Sequence, residues 1–166
     1  CCGGQPLQMR VSTGSCARAC SRVPQCGEDY WGRISGPLMD RFDLRVDVPP
    51  VSYSNLDLPS SGETSQQVAA RVAVARNIQK DRFAAEPNMR CNADAEGDVL
   101  TEITTPDSEG RELLLRAAER FSLSARGYHR MLRVARTIAD LDGSAQVRKP
   151  HIAEAVSFRL PSFAVA

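Results

Sequence analysis

Only one stretch of this 166-residue chain alternates like a strand: Phe42, Leu44, Val46 and Val48 are interleaved with Asp43, Arg45 and Asp47. A period of two puts the apolar set on one face of extended backbone. Pro49 and Pro50 end the stretch, because proline cannot donate to a sheet ladder. A lone strand cannot bury itself. The pattern therefore predicts the edge of a sheet whose other strands lie upstream. The chain also starts without Met, at Cys1, and so reads as a fragment or a processed product.

The rest of the chain favours helices. Aromatics make up only 5% of residues, so the core must come from Leu, Val, Ile and Ala. Thr64-Ser65-Gln66-Gln67 offers a capping box, predicting a helix over about 65–84, stopped by Pro87 and Asn88. Residues 86–104 read as irregular, with an apolar contact at Val99, Leu100 and Ile103. Thr105-Pro106 predicts a helix start carrying Leu113, Leu114, Ala117, Ala118 and Phe121. Ser124 caps a helix over about 125–141, ended by Gly143, and Lys149-Pro150 opens a last one through about Phe158. The expected architecture is mainly α with a small β element: a core edge over 1–50, a Pro- and Ser-rich linker over 51–65, and about four helices in a bundle over 66–166.

Charge is balanced, 21 basic against 20 acidic side chains, which excludes a strong global pull toward nucleic acid or anionic lipid. No apolar run reaches the length of a membrane span, and no signal peptide is visible. A cytoplasmic address without membrane association is expected. Five of the six cysteines fall early, at Cys1, Cys2, Cys16, Cys20 and Cys26, and only Cys91 lies beyond. Four thiolates such as Cys2, Cys16, Cys20 and Cys26 could hold one tetrahedral Zn²⁺, although none forms a tight C-x₂-C knuckle. Reduced thiols in a loop are the competing reading.

Local charge is concentrated on the helix after Ser124. Arg126, Arg130 and Arg133 recur at i, i+4 and i+7 and share one face, beside an apolar stripe of Met131, Val134, Ala135 and Ile138. No acid at i±4 neutralises the three, and the nearest, Asp140, is a turn or more away. Cations at a helix N-terminus oppose its dipole, which points to an anionic partner. Phosphate suits the guanidinium fork. A solvated basic face and a nucleic-acid contact are the other readings.

Ser124-Ala125-Arg126-Gly127-Tyr128-His129-Arg130 followed by Leu132-Arg133-Val134-Ala135-Arg136-Thr137-Ile138-Ala139-Asp140-Leu141 resembles the signature of the ComM-type (YifB-like), Mg-chelatase-like AAA+ ATPases. The run from Tyr30 through Ser35-Gly36-Pro37-Leu38-Met39-Asp40-Arg41 to Leu44 resembles the end of that family's AAA+ core. Arg71-Val72 with Ala75-Arg76 and Gln79, then Asn92-Ala93, then His151 to Ala155 match in order. Cys2-Gly3 and the Cys20–Cys26 spacing resemble its cysteine segment, but adjacent Cys1 and Cys2 depart from it.

The resemblance implies a ring motor, a homo-oligomer expected to be a hexamer, driven by ATP and Mg²⁺ and acting on DNA as a branch-migration helicase in transformation and recombination. It implies that Arg41 is the arginine finger, reaching a neighbouring subunit's ATP; a local ion pair with Asp40 or Asp43 is the competing reading. It also implies that the sensor-2 arginine comes from Arg126, Arg130 or Arg133, with Arg126 favoured by its position. Arg130 and Arg136 are weaker candidates, and His129 is expected to pack within the lid. No G-x-x-x-x-G-K-[ST] loop and no Walker-B carboxylate occur in the chain, so it would depend on its own N-terminal AAA+ core to bind and hydrolyse ATP. Two other readings stand beside this one: a magnesium chelatase ATPase subunit, and a stand-alone helical adaptor whose zinc loop binds nucleic acid or protein.

Overall fold

The structure, a computed structural model, describes residues 33, 38, 41–46, 48 and 62–159. The chain divides into two compact units, Cys1–Phe42 with Val46–Ser60, and Asp43–Arg45 with Ser61–Ala166. In the first unit Leu38 is helical and its carbonyl accepts the Arg41 amide at 3.0 Å. The expected strand is not realised as a ladder: residues 42–46 and 48 have no strand pairing, and Phe42, Leu44, Val46 and Val48 are all exposed.

Among its described residues the second unit holds five α-helices: α1 (Ser65–Arg82), α2 (Gly97–Thr104), α3 (Ser108–Arg120), α4 (Ala125–Leu141) and α5 (Lys149–Ser157), with a 3-10 turn at Asn92–Asp94. The described residues are thus mostly helical, as the sequence implies. The start of α1 follows its sequence signal: Thr64 Oγ1 accepts the Gln67 amide at 3.3 Å while Gln67 Oε1 accepts the Thr64 amide at 2.8 Å.

Two expected helix positions also need correction. Helix α2 lies inside the stretch read as irregular. It begins at Gly97, whose φ of 55° favours glycine, and its N-cap Glu96 makes no side-chain hydrogen bond, so no capping signal marks it. Helix α3 starts at Ser108 rather than at Thr105-Pro106. Asp107 is its cap, accepting the Gly110 amide at 2.8 Å, while Pro106 forms a parallel bridge with Val147. Asp107 N also donates to Val147 O at 3.1 Å, which ties the start of α3 to the approach to α5.

Helix α4 is the hub. One core joins Leu114 of α3 and Met131, Leu132, Ala135 and Ala139 of α4 to Val147, Ile152 and Ala155. Its larger fully buried side chains, Leu114, Met131, Val147 and Ile152, each stabilise the fold by about 1.5–3 kcal/mol. A second cluster packs Phe83 and Ala95 against Leu100 of α2. Both ends of α4 are closed by local chemistry. Before it, Ser122 sits at φ 46° while Leu123 N donates to Ala118 O and Ser122 N to Glu119 O, a Schellman closure of α3 without its usual glycine. After it, Gly143 at φ 68° and Ser144 make the same closure onto Asp140 O and Ala139 O.

Candidate functional site, an arginine helix with one open end

The polar side chains of α4 change character along its length. At the C-terminal end, Asp140 has a fully buried side chain. Its Oδ1 accepts from Arg82 at 2.6 Å and from Arg136 at 2.8 and 3.1 Å. Its Oδ2 accepts from Arg82 at 2.9 Å and from Asn92 at 2.7 Å. Arg136 then donates to the carbonyls of Ser144 and Ala145, beyond the helix. Asn92 closes the set by donating to Thr137 Oγ1 at 3.1 Å.

Burial by itself would raise the Asp140 carboxyl. The hydrogen bonds from Arg82 and Asn92 and the charges of Arg136 and Arg82 outweigh it and hold the group below the usual carboxylate range. Burial also pushes the Arg136 guanidinium down, opposed by the Asp140 charge, yet an arginine stays protonated in protein surroundings. This network ties α1, the 3-10 turn and α4 together, and each hydrogen bond named in it ends on a protein acceptor.

Arg133, one turn earlier, is also engaged. Its Nε donates to Ala95 O at 2.9 Å and its Nη2 lies 3.6 Å from Glu96. Arg130 pairs with Asp43 at 2.7 Å. Arg126 differs from both. It lies in the first turn of α4, is exposed, and has no hydrogen-bond or ion-pair partner among the described residues. Ser124 Oγ takes the Gly127 amide at 3.0 Å, while the first amides of a helix have no acceptor within it. An uncommitted guanidinium beside helix N-terminal amides is chemistry that fits a phosphate group. His129 is exposed rather than packed, with its ring edge-on to Tyr128 at 5.9 Å.

Of the three candidate lid arginines, the helix keeps all on neighbouring turns but leaves only Arg126 uncommitted. Arg41 is exposed in the other unit. Cys2, Cys16, Cys20 and Cys26 lie outside the described residues. Cys91 is a free thiol, 3.4 Å from Asp94 Oδ2, in a turn where that carboxylate also accepts the Arg90 and Cys91 amides. No group of three or more metal-ligating side chains occurs among the described residues. None of the described helices is long and apolar enough to cross a membrane.

The buried network was missed by sequence reasoning, which took Asp140 only as a distant neutraliser of the arginine face. Arg136 and Asp140 stand at i, i+4 on the face that also buries Leu132 and Ala139. An opposite-charge pair inside an apolar stripe was the signal available. Arg82 carried none, since it is 58 positions away from Asp140.

Comparison with known proteins agrees with the lid signature. Residues 62–159 match the family described as Magnesium chelatase, subunit ChlI C-terminal, and residues 9–56 match Magnesium chelatase, subunit ChlI. The competence protein ComM of Haemophilus influenzae is 38% identical over 137 residues, covering 82% of this chain and 26% of that protein. The uncharacterized protein YifB of Escherichia coli is 37% identical over 133 residues, 78% of this chain and 25% of that protein. A protein of Mycobacterium tuberculosis H37Rv, uncharacterized protein Rv2897c, is 38% identical over 130 residues, 78% of this chain and 25% of that protein. The chain thus spans about a quarter of the length of the curated relatives it matches. It belongs to the magnesium chelatase ChlI family, and its residues 62–159 are that family's C-terminal domain.

Proposed function

We propose that this chain is the lid and distal core edge of an ATP-driven ring motor of the ComM type, acting on DNA in the cytoplasm. The observation that carries the reading is Arg126, an exposed and uncommitted arginine at the start of α4 while its neighbours are held by protein groups. Arg126 would act as sensor 2, binding phosphate oxygens of nucleotide held by its own subunit's N-terminal AAA+ core. Bound ATP with Mg²⁺ would supply the phosphoryl group and its counter-charge. Arg41, which the Asp40-Arg41 resemblance equates with the family's finger arginine, would stabilise charge on the phosphoryl group at a neighbouring subunit. Arg133 and Arg130 would shape the lid rather than touch the nucleotide first.

Support for the DNA role comes from the relative named Competence protein ComM. A second reading, the ATPase subunit of a magnesium chelatase, has the family's own description behind it. Similarity to the competence protein ComM favours the first. DNA-stimulated ATPase activity of the full-length subunit separates the two. Zinc at the early cysteines is a further part of the proposal, and zinc content near one per chain in reducing buffer is its expected result.

The direct experiment mixes Arg41→Ala subunits with wild-type subunits of the full-length protein. A finger acting across the subunit boundary lowers turnover of the wild-type neighbours in proportion to the mutant share. Turnover that does not fall with the mutant share sinks the finger role.

A further inference from the structure

Three residues of the early chain belong with the helical unit rather than with their own neighbours. The chain leaves the first unit after Phe42 and rejoins it at Val46, and Asp43–Arg45 packs with the helices. That segment is fixed at both ends. Asp43 Oδ1 accepts from Arg130 Nη1 at 2.7 Å. Arg45 N donates to Phe158 O at 3.0 Å, and Arg45 Nη1 to Arg159 O at 3.3 Å. Arg159 in turn donates from Nη2 to Gly127 O at 3.3 Å. The first two turns of α4 are therefore gripped twice, once through Arg130 and once through Gly127.

Sequence position gives this clip its meaning. Asp43 follows Arg41 by two residues, and Arg130 follows Arg126 by one helical turn. A movement of α4 that brings Arg126 onto phosphate must carry residues 43–45 with it or break the clip. Asp43 meets α4 through a charged hydrogen bond, and Arg45 holds the far side of the segment through its backbone, so the segment has both a charge contact and a fixed direction. The apolar residue between them, Leu44, is exposed and adds no anchor of its own.

We infer that Asp43 is a positioning residue that couples the lid arginine, directed at the subunit's own nucleotide, to Arg41, directed at the neighbour's. The inference rests on the proposed roles of Arg126 and Arg41 and deepens them. It gives the ring a route by which occupancy of one site alters turnover at the next, a coupling between two distinct sites through one physical connection. Asp43 touches no reacting atom in this account and acts through Arg130 and its own chain neighbour.

The test is steady-state ATP hydrolysis by the full-length ring carrying Asp43→Asn, with Asp43→Glu as the conservative variant and Arg41→Ala as the reference. Coupling predicts that Asp43→Asn lowers kcat roughly tenfold and takes the Hill coefficient for ATP toward about one, while KM changes less than about twofold. Asp43→Glu keeps the charge and restores most of both. A Hill coefficient that survives in Asp43→Asn, with or without loss of kcat, overturns the coupling. So does a wild-type ring without cooperativity, or an Asp43→Glu ring as impaired as Asp43→Asn. If Arg41→Ala leaves turnover intact, the finger reading fails and the coupling with it. If Arg41→Ala inactivates while Asp43→Asn is neutral, the coupling alone fails.

Discussion

The two ends of α4 carry the same residue type and do opposite things with it. At the C-terminal end Arg136 has a side chain only 3% exposed and is spent on Asp140 and the following turn. At the N-terminal end Arg126 is exposed and spends nothing on the described protein. Burial and a carboxylate within reach make one arginine a structural tie. Exposure at a helix N-terminus, with no acid beside it, leaves the other available to an external anion. The residue type alone does not decide between the roles; the acceptors around it do.

The largest effect that could break this comparison lies at Asp140. Asp140→Ala leaves Arg82 and Arg136 without their shared carboxylate, and breaking a buried pair of this kind costs about 3–5 kcal/mol. Chemical denaturation of the variant measures it, and a loss under about 1 kcal/mol would mean that the network is dispensable. The same carboxylate sets an acid limit. Its folded value lies below the ordinary 3.8, so its contribution is complete above that pH and is lost as pH falls through the lowered folded value. Melting followed across the acid range should show a limb that is flattened in Asp140→Asn. An unchanged limb would assign acid unfolding to other groups.

The open end of α4 should respond less. Ser124→Ala removes the cap on Gly127 and costs about 1 kcal/mol, measured by the same denaturation. Arg126→Ala should change stability by no more than about 0.5 kcal/mol, because the side chain has no partner to lose among the described residues and its charge opposes the helix dipole. A large loss there would mean that Arg126 is a structural arginine after all.

How far the sequence foretold this arrangement depended on the range of each interaction. The bounds of α4 were legible because Ser124 and Gly143 close it locally. Thr64 and Gln67 announced α1 for the same reason. Helix α2 was hidden because Gly97 and Glu96 give no capping signal, and its stability comes from Leu100 packing on Phe83 and Ala95. The alternation over 42–48 was genuine in sequence, but its visible anchors are Asp43 and Arg45 rather than the apolar set. For the arginines, periodicity identified the shared face but could not rank its members. Glu96 and Asp43 sit far from α4 in sequence, and they are what separate Arg133 and Arg130 from Arg126.

The most direct measurement is ATP affinity of the full-length subunit with Arg126→Ala, set beside its melting temperature. The account predicts binding weakened about tenfold or more, the loss of one charge-assisted phosphate contact, with melting unchanged. Unchanged affinity, or a loss of affinity that only tracks a fall in melting temperature, would contradict the claim that the open end of α4 is the phosphate-reading end.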